Sequence, residues 1–160
     1  MVLQGFVETE FQDASDLRPS EKVQRTGEPK EVEKPRLVFA DDEANIRRLV
    51  GILLRSYHLA EAQNGKQALL LIRELQPDLI LLDDMMPEMT GLEVIEAVRG
   101  NPLIASIPII LLSAKGQQAE IERGLQCGAT RYLVKPFESQ VLRISVAEVL
   151  QEYPRHLVKE

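Results

Sequence analysis

Apolar residues recur along this chain in two alternating rhythms. "RLVFA" (36–40) is apolar after its first residue, as in a strand covered on both faces. "EANIRRLVGILLRSY" (43–57) then places Ile46, Leu49, Val50, Leu53 and Leu54 at helical spacing. "HLAEA" (58–62) alternates, which suits a half-covered edge strand, and Asn64-Gly65 turns the chain. "KQALLLIRELQ" sets Ala68, Leu71, Ile72 and Leu75 on one helical face. Strand and helix then alternate again: strand 79–82 with helix 91–100, strand 107–112 with a weaker helix ending at Gly128, and strand 131–134 with helix 139–153. In the last helix Leu142, Val146, Val149 and Tyr153 fall in register.

Strands that are each followed by a helix predict right-handed βαβ crossovers. The expected fold is α/β: a doubly wound, five-stranded parallel sheet with strand order 2-1-3-4-5 (flavodoxin-like) and helices on both faces, three layers in all. Its ligand crevice lies at the C-terminal strand ends. Residues 1–35 differ in kind. They mix acids and bases with few apolar groups, too few to offset the entropy of ordering, and predict a disordered extension. Within them Leu3, Phe6, Val7 and Phe11 fit one face of a short helix or a frayed terminus. The ordered domain is expected over 36–155, with 156–160 as a tail.

Charge and composition narrow the function. With 19 Lys and Arg against 25 Asp and Glu the net charge is -6. Phosphate contacts need clustered cations, so the sequence predicts no direct DNA binding. One cysteine, Cys127, allows no internal disulfide and no cysteine-based metal site. The start lacks the pattern of a signal peptide, and no segment approaches the roughly 20 apolar residues that span a bilayer. A cytoplasmic protein without membrane contact is expected.

Polar residues gather where the strands end. Asp41, Asp42 and Glu43 follow the first strand, Asp83 and Asp84 the third, Ser113 the fourth, and Lys135-Pro136 the fifth. In a doubly wound sheet these ends adjoin, and pooled carboxylates are strongly unfavourable without compensation. Mg²⁺ relieves the repulsion through oxygen ligands and phosphate oxygens. Lys135 adds a mobile positive charge and Ser113 a hydroxyl. The set suits phosphoryl transfer, yet no P-loop or dinucleotide glycine motif occurs. Blander readings stand beside it. Asp41 and Asp42 also suit an N-cap of the first helix. Lys135 suits a surface loop, Ser113 a strand end satisfied by backbone, and Tyr132 an ordinary half-buried strand position. Arg47 and Arg48 read by default as a solvated helix face.

"FADDE", "LILLDDMMPEMTGLEV", "IPIILLSAKG" and "YLVKPF", in this order, resemble the successive motifs of the response-regulator receiver domain of two-component signalling. The resemblance covers about residues 36 to 153. It implies that Asp83 is the phosphoacceptor, with Mg²⁺ held by Asp41, Asp42, Asp83 and the backbone carbonyl of Met85. It implies that Lys135 pairs with the phosphoryl group and precedes a cis proline. Ser113 becomes the switch hydroxyl and Tyr132 the switch aromatic, together remodelling the surface of the fourth helix, fifth strand and fifth helix. Asp84 stands where the family usually has an apolar or small residue, and is expected to point sideways to solvent without a ligand role, with an accessory effect on metal affinity as the lesser reading. Thr90 replaces a frequent Asp, and Thr130-Arg131 a commonly acidic pair.

The partners so implied are a histidine kinase or phosphotransfer protein and a downstream protein effector. The chain is expected to be a monomer or a weak phosphorylation-dependent dimer. "PRHLVKE" after the last helix is too short for an output domain and predicts a stand-alone receiver similar to chemotaxis regulators. It is expected not to be an enzyme beyond its own phosphorylation and dephosphorylation. Two other readings are a phosphorylation-independent scaffold and a Mg²⁺-dependent aspartyl phosphatase. The phosphatase needs a second acid two positions after the nucleophile, where Met85 stands.

Overall fold

Odd and even residues of the central strands part to opposite sides of one sheet, and this division organises the protein. In the computed structural model, which describes residues 33–154, Leu37, Phe39, Leu79, Leu81, Ile110 and Leu112 face one core. Val38, Ala40, Ile80, Leu82, Ile109 and Leu111 face the other. All of the described elements belong to the unit that begins at Lys34. The apolar positions predicted near the N-terminus, Leu3, Phe6, Val7 and Phe11, and most of the predicted extension lie outside the described residues.

The elements, in chain order, are β1 (Arg36–Ala40), α1 (Ala44–Leu53), β2 (His58–Ala62), α2 (Gly65–Leu75), β3 (Leu79–Asp83), α3 (Gly91–Arg99), β4 (Ile109–Ser113), α4 (Gln118–Cys127), β5 (Arg131–Val134) and α5 (Ser139–Glu152). All strand pairs are parallel, in the order β2-β1-β3-β4-β5. The predicted order is therefore found. The first core takes Val50 and Leu54 from the α1 side and Leu142, Val146 and Val149 from α5. The second takes Ala68 and Ile72 from α2 and Val94, Ile95 and Val98 from α3. β3 and β4 are buried along their whole length, which is why they read as unbroken apolar runs. β2, at the sheet edge, is only partly covered, but its cover does not alternate as predicted: His58 and Glu61 are exposed, Leu59 and Ala60 are both half-buried and Ala62 is buried.

Local chemistry sets the helix ends. Asn64 caps α2 by accepting from the Gln67 amide at 2.8 Å. Thr90 caps α3, and Glu93 returns the bond to the Thr90 amide, a reciprocal capping box. Thr90 thus seats the loop that leads out of β3. α1 ends at Leu53, short of the predicted Tyr57. Leu54 is fully buried and the Tyr57 amide turns back onto the Leu54 carbonyl at 3.0 Å. That turn brings His58 beside Pro35 so that β2 can start.

At the opposite end of the sheet from the acids, Arg99 holds three backbone carbonyls. Its guanidinium donates to Ala105 at 2.7 Å, Ile107 at 2.6 Å and Gly128 at 3.0 Å. Among the described residues no helix is long and apolar enough to cross a membrane.

Candidate functional site

Asp83 is the last residue of β3, and its backbone pairs opposite Leu112 of β4. Asp41 follows β1, Ser113 ends β4 and Lys135 follows β5, so parallel register alone carries these groups to one rim. Side-chain oxygens of Asp41, Asp42 and Asp83 lie within 4.8 Å of one another. The Lys135 ammonium reaches Asp83 Oδ1 at 2.6 Å and Asp41 Oδ2 at 3.2 Å. The Lys135–Pro136 bond is cis.

Asp41 is fully buried, and its second oxygen accepts from the Glu43 amide at 2.9 Å. The cap position of α1 belongs to Glu43, without a side-chain cap bond. Arg47 fixes the Asp41 backbone by donating to its carbonyl at 2.7 Å, and also pairs with Glu61 at 3.8 Å. Sequence alone leaves Arg47 on a solvated face. Its place in the first turns of the helix after the acid pair is the signal that finds it.

Electrostatics follow from this crowding. Burial pushes the Asp83 carboxyl up from its usual 3.8 to about 6. The Lys135 hydrogen bond opposes that rise, while the charges of Asp41 and Asp42 add to it. Burial alone would lower the Lys135 ammonium, but its bonds and charge contacts with Asp83 and Asp41 outweigh burial and raise it. Three carboxylates gather here while the Lys135 ammonium pairs with two of them, Asp41 and Asp83, and the excess negative charge suits a hard divalent cation with oxygen ligands. The donor set therefore fits Mg²⁺.

Ser113 and Tyr132 do not point at Asp83. The Ser113 hydroxyl donates to Asp84 Oδ2 at 3.1 Å and accepts from the Lys115 amide at 3.1 Å. The Tyr132 hydroxyl donates to the Lys115 carbonyl at 2.7 Å. Met85 lies in the β3–α3 loop with its side chain exposed. Asp84 departs from the expectation set by the sequence. It is buried at 6% exposure rather than turned to solvent, bonded to Ser113 and 3.9 Å from the Lys115 ammonium. Strand alternation explains the burial: Asp84 continues the side of Ile80 and Leu82, where Ile109, Leu111 and Ser113 also face. Counting that parity in both strands would have found the pair. Arg131 turns to α5 and pairs with Glu148 at 2.7 Å and Glu152 at 3.3 Å.

The family model for the response regulator receiver domain matches residues 37–147. The phosphate regulon transcriptional regulatory protein PhoB of Pseudomonas aeruginosa is 38% identical over 117 residues, covering 72% of this chain and 51% of PhoB. The DNA-binding response regulator MtrA of Mycolicibacterium paratuberculosis is 33% identical over 144 residues, covering 78% of this chain and 63% of MtrA. The chain thus spans about half to two-thirds of the length of these curated relatives. Among solved structures, the chemotaxis protein CheY4 of Vibrio cholerae is 32% identical with a TM-score of 0.69, covering 73% of this chain and 99% of that one.

The relatives overturn one expectation. Net charge predicted no direct DNA binding, whereas MtrA is by name a DNA-binding response regulator and PhoB a transcriptional regulator. Overall charge is an average over the chain and does not decide this point. Fold, rim chemistry and family match agree: the chain belongs to the response regulator receiver domain family.

Proposed function

We propose that Asp83 accepts a phosphoryl group from the phosphohistidine of a histidine kinase or phosphotransfer protein. The supporting observation is the Lys135 ammonium bridging Asp83 and Asp41 beside Asp42. A carboxylate oxygen of Asp83 attacks phosphorus, the P–N bond breaks, and its electron pair leaves on the imidazole nitrogen. An acyl phosphate forms on Asp83. With Asp83 titrating near 6, most of it is ionised at neutral pH and ready to attack. Lys135 follows the negative charge from the carboxylate to the phosphoryl oxygens. Asp41, Asp42, Asp83 and the Met85 carbonyl would hold Mg²⁺, whose charge offsets that of nucleophile and phosphoryl group.

The Ser113 hydroxyl then turns toward the phosphoryl group and Tyr132 moves inward, changing the surface of α4, β5 and α5. That surface engages a downstream partner in the cytoplasm. Following the names of the curated relatives, the output is control of transcription. Turnover is confined to the protein's own phosphorylation and hydrolysis.

Acetyl phosphate with Mg²⁺ is expected to add one phosphoryl mass to the intact chain. Asp83→Asn abolishes the gain. An unmodified wild-type mass, under conditions that label another receiver, refutes the proposal.

A further inference from the structure

We propose that Asp84 is a positioning residue that holds the Ser113 hydroxyl away from Asp83 and so sets the threshold of the switch. The inference rests on the phosphoacceptor reading above. Ser113 is 1% exposed, and its hydroxyl carries a single proton, which it donates to Asp84 at 3.1 Å. That proton cannot serve Asp84 and a phosphoryl oxygen on Asp83 together. Turning to the phosphoryl group therefore breaks the Ser113–Asp84 bond.

Asp84 cannot follow. Its amide donates to the Leu112 carbonyl at 2.8 Å, and its carbonyl accepts from the Gly91 amide at 2.8 Å. A Cβ on Gly91 would meet the Asp84 Cα at 3.0 Å, so the helix start packs directly on this backbone. The Asp84 carboxylate is left with Lys115, whose ammonium is 3.9 Å away. Lys115 links the two switch residues: its amide donates to the Ser113 hydroxyl, and its carbonyl accepts from Tyr132. Swinging the Ser113 oxygen over to the phosphoryl group therefore also withdraws the acceptor of the Lys115 amide, and loosens the residue that holds the tyrosine ring. A hydrogen bond to a charged acceptor present in one state only shifts the balance between states by about tenfold or more.

The test titrates beryllofluoride, an acyl phosphate mimic, into the full chain at saturating Mg²⁺, with bound fluoride read by 19F NMR. Asp84→Ala is expected to lower the midpoint about tenfold. Asp84→Asn keeps an acceptor oxygen for Ser113 and is expected to lower it less. In a Ser113→Ala background neither change moves the midpoint.

An Asp84→Ala midpoint equal to wild type overturns the inference. So do equal shifts for Ala and Asn that persist without the Ser113 hydroxyl, because loss of charge would then suffice. If Asp84→Ala does not fold, the isosteric Asn variant with and without Ser113 decides on the same criterion. A wild type that takes no beryllofluoride overturns the phosphoacceptor reading and this inference with it; a wild type that responds while the Asp84 variants do not overturns this inference alone.

Discussion

Asp83 illustrates what a buried acid does to its host. The folded chain keeps a proton on Asp83 up to about pH 6, whereas an ordinary Asp loses it near 3.8. Between these values the folded state binds more protons than the unfolded one, so stability falls as pH rises through the window and is level above it. Asp83→Asn removes this dependence. Without metal the variant should exceed wild type by about 1–2 kcal/mol near pH 7, after allowing for solvent at the rim, and by almost nothing below about pH 4. Urea denaturation in EDTA at both ends of the window measures it; a constant difference refutes the raised pKa. At this scale Asp41, Asp42, Asp83 and Lys135 were legible because each stands beside a strand end, where topology fixes its neighbours. Asp84 was not read correctly. An acid after a buried strand suggests solvent, and its burial depends on which side of the sheet the next strand presents a hydroxyl.

Helix starts and ends carry the site. Gly91 opens α3 where a Cβ would sit 2.6 Å from the Asp83 carbonyl. Gly91→Ala is expected to destabilise by about 1–3 kcal/mol and to slow labelling by acetyl phosphate, since relief requires moving the Asp83 backbone. Thr90→Ala removes one half of the capping box and should cost about 1 kcal/mol, with labelling retained. Chemical denaturation together with intact mass separates the two variants. Apolar periodicity predicted every described helix and strand, but not all their limits. The early end of α1 comes from the buried turn at Leu54, a tertiary demand that local periodicity does not contain.

The molecule as a whole is held unevenly. α2, α3 and α5 each insert several aliphatic side chains into a core, whereas the buried residue of α4 is Gly124, against the Tyr132 ring. Few buried apolar contacts mean low local stability. Backbone amides of α4 are expected to exchange with deuterium faster than those of α2, α3 and α5, and equal protection would contradict this. The sheet order was legible because alternating strands and helices leave few right-handed solutions. Arg99 joins the segments that enter β4 and β5, through Ala105 and Ile107 before the one and Gly128 before the other. Replacing it with Met should cost about 3 kcal/mol, because it satisfies three carbonyls at once. Its grip has a mechanical corollary. The two strands that lead to Ser113 and Lys135 are clamped together at the foot, paired along their length and tied again at the tips, where the Lys135 amide donates to the Ser113 carbonyl at 2.8 Å. A displacement of either tip is therefore carried by both strands, and the hydroxyl and the ammonium of the rim shift together.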